Sequence, residues 1–336
     1  MDDASEKIIR QLREAQALAR LIGDAPPFRE VIEMLPAASR SDGAVLITGE
    51  TGTGKELVAR AIHYIGPRVA HPFVAVNCGA LTDTLLEDEL FGHEPGAFTD
   101  ARQRRVGLIA HADRGTLFLD EIDALTPRAQ VSLLRVLQDR TFRPLGASQE
   151  QRADVRFVAA SNAPLLARVE AGTFRADLYY RLCVFPLALP PLRERREDIL
   201  KLAAHFLDLH TPSERRPLAL SPAAATALLS SRWPGNVREL ENVIVRAVQL
   251  SSDATIDVHH LGLHVGTPRP SGSRETFRAL KRLAIATFER DYLIRLLLES
   301  RGNVTRAARA AGKERRGLGK LLKKHQLDPK RFASAG

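Results

Sequence analysis

The sequence predicts an α/β protein: a parallel sheet flanked by helices, then a smaller all-helical region, then a basic all-α tail. Three observations carry that expectation. Between Ala44 and about Leu189, short apolar runs of strand length alternate with helical segments, as when successive parallel strands are joined by helical crossovers. The first run leads into Gly49-Glu50-Thr51-Gly52-Thr53-Gly54-Lys55, a glycine-rich stretch set between a strand and a helix. Residues 301–331 hold eleven Lys and Arg against only Glu314 and Asp328, so the formal net charge of +9 belongs to this segment and the rest of the chain is neutral overall.

A chain of 336 residues has room for two or three domains, and 44% hydrophobic residues supply ordinary cores. No apolar run approaches the ~18 to 20 residues needed to span a bilayer, and Met1-Asp2-Asp3 opens no signal-type segment. A cytoplasmic location without membrane contact is expected. Cys78 and Cys183 are the only cysteines, too few for a disulfide framework or a zinc site, so both are expected as free thiols.

Taken in order, residues 1–21 hold a short amphipathic helix over 5–20, with Ile8, Ile9, Leu12, Ala15 and Ala19 at helical spacing. Residues 22–192 form the α/β region. Its strands are expected at Ala44–Thr48, Phe73–Val76, Thr116–Leu119, Val155–Ala160 and Val184–Leu187, and Leu57, Val58, Ala61, Ile62 and Ile65 mark one face of the helix after the glycine-rich loop. Residues 193–263 form a lid-like domain, of which 196–262 read as helices only, with Ser221-Pro222 starting one helix and the turn Trp233-Pro234-Gly235-Asn236 opening another. Residues 264–275, rich in Gly, Pro and Ser, read as a linker. Residues 276–336 then begin with a long helix over 276–300 carrying Leu280, Leu283, Ala284, Leu293, Leu296 and Leu297, followed by two short helices around Gly312.

The loop from Gly49 to Lys55 has the composition and context of a phosphate-binding loop. Its glycines let backbone N–H groups converge on phosphate, the helix N-terminus adds partial positive charge, and Lys55 neutralises the outer phosphates. Glu56 stands where Ser or Thr usually ligates magnesium, so Mg2+ is expected to be held by water, phosphate oxygens and Asp120. Asp120 and Glu121 close the strand Thr116–Leu119, one carboxylate for the metal shell and one to polarise an attacking water. Asn162, just beyond the fourth strand, is placed to hydrogen-bond the γ-phosphate or that water. Arg175 and Arg181 are six apart and on roughly opposite sides of a helix, so one or both can reach a neighbouring subunit's γ-phosphate, and Arg238 can reach the nucleotide from the lid of its own subunit.

The hexapeptide Gly96-Ala97-Phe98-Thr99-Asp100-Ala101 sets one aromatic ring among small and turn-forming residues, between the two halves of this site. It is either a surface loop whose Phe folds back as a plug, or a contact element that moves with the nucleotide.

Together these runs resemble the AAA+ activators of sigma-54 RNA polymerase, the bacterial enhancer-binding proteins. The matching stretches are Gly49 to Glu56, Asn77-Cys78, Glu89 to Glu94, Gly96 to Ala101, Gly115 to Ile122, Phe174 to Leu182, Pro190 to Arg195 and Trp233 to Asn242, in the family's order across residues 22 to about 262. Glu56 is itself a mark of that family. The resemblance implies an ATPase that assembles as a ring, usually a hexamer, with active sites between subunits. It implies that Arg175 and Arg181 are arginine fingers, that Asn162 and Arg238 are sensors, and that Asn77 holds the catalytic Glu121 in an inactive rotamer until the ring engages its target. By the same resemblance the 96–101 loop contacts the sigma-54 RNA polymerase holoenzyme, with Phe98 and Thr99 as the residues that touch it. Two positions depart from the pattern: Asp100 replaces a common second glycine, and Ala110 replaces a common acidic residue.

The tail resembles a Fis-type helix-turn-helix, with Gly302-Asn303, Ala307-Ala308, Gly312 at the turn, and Leu318, Leu321 and Leu322 packing the second helix. Arg315, Arg316, Lys320, Lys323 and Lys324 then face upstream DNA. Gly317 and Gly319 are unusual inside such a helix, each costing roughly 1 kcal/mol against Ala. Helix 276–300 is expected to supply a dimer contact and hence a palindromic site. With about 20 residues before the core, control is expected from a trans-acting regulatory protein, from expression level, or from helix 5–20. A second reading is a DNA-binding regulator whose nucleotide domain controls only oligomerisation, with Asp100 having disabled the polymerase contact.

Overall fold

The computed structural model describes residues 19–263 except positions 81, 99, 100, 216, 217, 252 and 253, and then 289, 292, 293, 296, 297, 300, 302–325 and 329. Nearly all of helix 5–20, the linker at 264–275 and most of helix 276–300 lie outside these described residues. The chain divides into two units, Met1–Val265 and Gly266–Gly336.

The first unit is built on five parallel strands: β1 (Val45–Thr48), β2 (Phe73–Asn77), β3 (Thr116–Asp120), β4 (Arg156–Ser161) and β5 (Phe185–Ala188), ordered β2-β3-β4-β1-β5. Each expected strand is present within a residue of its place. Helices cover both faces, so strand residues of both parities are buried and the strands read as continuous apolar runs. On one face Val45, Ile47, Phe118 and Val158 pack with Phe28, Val31, Val58 and Ile62. On the other, Leu46, Leu117, Leu119, Phe157 and Ala159 pack with Leu86, Leu90, Leu133, Leu178 and Leu182.

Helix α1 (Pro26–Arg40) supplies part of the first face, followed by α2 (Lys55–Tyr64). The sequence conceals α1, because Pro36 lies inside it and proline normally reads as a break. The second face takes α3 (Asp83–Phe91), α4 (Pro127–Asp139) and α5 (Ala176–Leu182). The register sets Asn77 beside Asp120 and Thr48 beside Ser161, so the phosphate loop, Asp120 and Asn162 emerge at the same, C-terminal edge of the sheet.

The lid packs α6 (Glu197–His210), α7 (Pro222–Ser230) and α8 (Asn236–Leu250) around Trp233, Leu202, Leu228, Leu240 and Ile244. The expectation of helices only is corrected here: Ala219–Leu220 pairs in parallel with Thr255–Ile256. Two residues per strand are too few to show alternation in sequence. Two antiparallel ribbons are likewise unannounced by pattern, Gly92–His93 with Arg105–Val106 and Thr141–Phe142 with Gln151–Arg152.

In the second unit, α9 (Val304–Ala310) begins at Asn303, whose side chain accepts from the N–H groups of Thr305 and Arg306, and α10 (Arg315–Lys324) follows a turn at Gly312. Leu293, Leu296, Leu297, Ala307, Ala308, Leu318 and Leu322 form its core. Among the described residues, no helix is long and apolar enough to cross a membrane.

Candidate functional site

The cleft is organised by a chain of hydrogen bonds through Lys55. Its side chain is only 7% exposed, and Nζ donates to Gly49 O (2.8 Å), Glu50 O (3.1 Å) and Asn162 Oδ1 (2.6 Å). Asn162 Nδ2 in turn donates to Glu121 Oε1 at 3.2 Å. One cation, one amide and one carboxylate from three separate elements therefore meet in a line. Burial lowers the Lys55 pKa, opposed by the charges of Asp120, Glu121 and Asp123 and reinforced by Arg238.

Asp120 ends β3 with Oδ1 accepting the Glu121 N–H at 2.9 Å, and burial raises its pKa. A carboxylate whose ionised form is disfavoured by burial, beside Glu121 and Glu56 which raise its pKa further, fits a site completed by added positive charge. Glu121 itself adopts the left-handed region at φ +53°, an unusual backbone state for a non-glycine residue at the end of a buried strand.

Asn77 lies across the same edge, but its side-chain Oδ1 accepts from the Gly79 N–H at 2.8 Å. It meets Glu121 through Gly79, where a Cβ would lie 2.3 Å from Glu121 Oε2 and 3.4 Å from Asn77 Oδ1. Glu121 takes its hydrogen bond from Asn162 instead.

Within the loop, Thr53 is buried and its hydroxyl donates to Glu50 O, while Glu56 faces solvent paired with Arg60. Gly52 is required by geometry. Its φ is +80°, and a Cβ there would sit 2.3 Å from Gly235 O and 3.1 Å from the Arg238 Cβ. The lid residue Arg238 therefore starts its side chain directly beside the phosphate loop.

Arg175 and Arg181 are both exposed, Arg175 at the N-cap of α5 and Arg181 in its last turn. The Arg175 guanidinium makes a two-pronged pair with Asp177 (3.0 and 2.7 Å), and its backbone N–H donates to Gln130 Oε1 at 2.9 Å. Gln130 is buried and its amide also donates to Leu125 O and Thr173 O. Arg181 Nε reaches Leu137 O at 3.4 Å.

The hexapeptide caps the ribbon that begins at Gly92–His93. Gly96 N–H donates to Ala101 O, Ala101 N–H to Phe98 O, and Ala101 is buried. The Phe98 ring stands edge-on to His93 with centroids 4.9 Å apart and remains 45% exposed, so it is not a plug. His93 is held from behind by Asp88 at 2.5 Å, and Arg105 bridges Asp88 and Glu89. Ala97 packs against the second ribbon, close enough that a Cβ on Gly146 would lie 2.8 Å from its methyl group. Thr99 and Asp100 lie outside the described residues.

In the second unit Arg315, Arg316, Lys320, Lys323 and Lys324 are all exposed on α10, opposite the buried Leu318 and Leu322. Lys324 and His325 both contact Glu289.

Several further residues, unmarked in the sequence, support the site and its lid. Asp123 accepts from Ser161 Oγ, pairs with Arg168 and acts on Lys55. Asp198 is fully buried and accepts the N–H groups of Asp24 and Ala25, and Arg195 lies 4.3 Å from the Phe28 ring centroid. Asn236 bonds the phosphate loop. Arg195 and Asn236 fall inside the motif stretches Pro190–Arg195 and Trp233–Asn242, whose sequence does not name their partners.

Comparison with known proteins agrees with this geometry. A family described as the sigma-54 interaction domain matches residues 21–188, and an AAA+ ATPase lid domain matches residues 193–276. The chain is 41% identical over 334 residues to the nitrogen fixation protein AnfA of Azotobacter vinelandii, covering 99% of this chain and 62% of AnfA. It is 42% identical over 338 residues to the regulatory protein AtoC of Escherichia coli, covering 96% of this chain and 72% of AtoC. The chain thus spans part of the length of the relatives it matches, and about half of the Azotobacter vinelandii Nif-specific regulatory protein. The crystal structure of NtrX from Brucella abortus in complex with ADP superimposes with a TM-score of 0.69 at 32% identity, covering 96% of this chain and 73% of NtrX. On these matches the chain belongs to the sigma-54 interaction domain family of AAA+ ATPases.

Proposed function

We propose that this chain is an ATP-hydrolysing transcriptional activator that binds upstream DNA, assembles into a hexameric ring and remodels sigma-54 RNA polymerase closed complexes so that promoters open. The observation that carries the reading is the Lys55–Asn162–Glu121 line, with the Phe98 ribbon inserted between β2 and β3. The backbone of residues 49–54 cradles the phosphates of ATP, and Lys55 exchanges its carbonyl partners for phosphate oxygens. Glu121 accepts the proton of a water attacking the γ-phosphorus as the β–γ bridging P–O bond breaks, and Asn162 fixes the direction of that carboxylate. Asp120 would hold a magnesium ion, which would supply charge neutralisation at the phosphates. Arg238 contacts the nucleotide in its own subunit, whereas Arg175 and Arg181 act on the neighbouring one. Asn77 acts on Glu121 by way of Gly79.

The loop Gly96, Ala97, Phe98, Thr99, Asp100 and Ala101 meets sigma-54, and the exposed Phe98 edge is what it offers. Residues 276–336 bind DNA through the basic face of α10.

The test is ATP-dependent open-complex formation on a sigma-54 promoter by the purified chain, at concentrations high enough to need no upstream site. The wild-type chain opens the promoter, while Phe98→Ala hydrolyses ATP within about twofold of wild type and does not open it. A wild-type chain that hydrolyses ATP without opening the promoter would leave the regulator of oligomerisation as the function.

A further inference from the structure

One buried carboxamide joins the lid to the phosphate loop. Asn236, the first residue of α8, is fully buried and has φ +52°. Its Oδ1 accepts the Leu192 N–H at 2.8 Å, and its Nδ2 donates to Thr51 O at 3.0 Å and Glu50 Oε2 at 3.1 Å. Only this orientation of the amide satisfies a donor on one side and two acceptors on the other. Around it, Arg193 grips both oxygens of Glu50 at 2.8 and 2.7 Å, and the Val237 N–H donates to Gly52 O at 3.0 Å. Arg193 first and Asn236 second hold the Glu50 carboxyl below its usual pKa. Residues 50–52 therefore have their polar groups satisfied from the lid and its approach segment as well as from within the α/β region.

We propose that Asn236 is a positioning residue for nucleotide binding, which fixes residues 50–52 in their phosphate-binding shape and ties that shape to the orientation of the helix carrying Arg238. This rests on the ATPase reading above. Arg238 lies two residues along α8 from Asn236, so a loop drawn onto a phosphate carries the start of that helix with it. Phosphate capture and lid closure become one movement rather than two.

An amide that merely fills the core would be satisfied by any variant that folds, whereas a strap depends on the polarity of the pair. Asn236→Asp removes both donors and sets a carboxylate against Glu50, while an acceptor for Leu192 remains. Adding Glu50→Gln restores one amide–carboxylate hydrogen bond with its direction reversed. In the full chain, Asn236→Asp is expected to raise the Kd of a fluorescent ATP analogue and the KM for ATP by about tenfold or more, the loss of hydrogen bonds to a charged and a buried partner. The double variant returns to within about threefold of wild type. Wild-type Kd and KM in Asn236→Asp would overturn the proposal, as would a double variant no better than the single when both melt like wild type. If Asn236→Asp does not fold, Arg193→Ala on the exposed side decides: a raised KM at unchanged Tm supports the strap, and an unchanged KM overturns it. A wild-type chain that binds no ATP at all would remove the ATPase reading itself, a result distinct from any of these.

Discussion

Two regions of this chain combine glycine with positive charge, and they use both in opposite ways. In the phosphate loop Gly52 has a backbone state and a neighbouring carbonyl that admit no side chain, and Lys55 is buried with three acceptors. In α10 a Cβ added at Gly317 or Gly319 meets nothing within 4 Å, and Arg315, Arg316, Lys320, Lys323 and Lys324 stand in solvent. The loop is over-determined, each group holding others in place, so single changes there act on all of them. The tail helix is held by Leu318 and Leu322 on its other face, and of these five charges Lys324 pairs with Glu289. Effects in the first region should be large and non-additive, and in the second small and additive.

The largest effect is expected at Glu121. Glu121→Gln keeps the size of the side chain and its contact with Asn162 but cannot take a proton, so turnover should fall by about 10²- to 10³-fold with ATP binding retained. Steady-state hydrolysis beside equilibrium binding measures both, and turnover near wild type would remove Glu121 as the base. Next, Gly52→Ala should weaken ATP binding by at least about tenfold and lower Tm, because a methyl group must displace the Gly235 carbonyl. A variant that binds ATP normally would mean the loop yields more readily than its bonding indicates.

In α10, replacing Arg315 or Lys323 by Ala should each cost DNA affinity about three- to tenfold and reduce the slope of log K against log salt by about one. Loss of binding altogether from one such change would show that these charges act as a cooperative unit after all. The smallest effect is a gain: Gly317→Ala and Gly319→Ala should each raise the stability of the second unit by about 0.5 to 1 kcal/mol in thermal melts. Unchanged stability would mean that the helix is already held at those positions by its packing.

The same contrast explains what could be read from the sequence. Strands buried on both faces announce themselves as apolar runs, and Asp120-Glu121 follow directly from the end of one. The exposed basic face of α10 is equally open to inspection, since charge density needs no partner to be seen. Asn236, Asp123 and Gln130 are different, because their meaning lies in residues far along the chain, 186 positions away for Asn236 and Glu50. A polar side chain in a helix gives no sign of which distant carbonyl it serves. Helix α1 was obscured by Pro36, and the two-residue bridge at Ala219–Leu220 by its brevity.

In the ring proposed above, the placing of Arg175 would bear on the order of events. Gln130 fixes the backbone N–H of Arg175 from inside its own subunit, while the guanidinium is tethered only to Asp177, two residues away and exposed. An ion pair in water is a weak restraint, so an anion presented by an adjacent subunit can take the place of Asp177 without any backbone rearrangement. The arm is aimed before it is engaged. Under the ring proposed above, subunits would dock first and share a phosphate afterwards, so that the contact between neighbours would report nucleotide occupancy rather than be a condition for assembly.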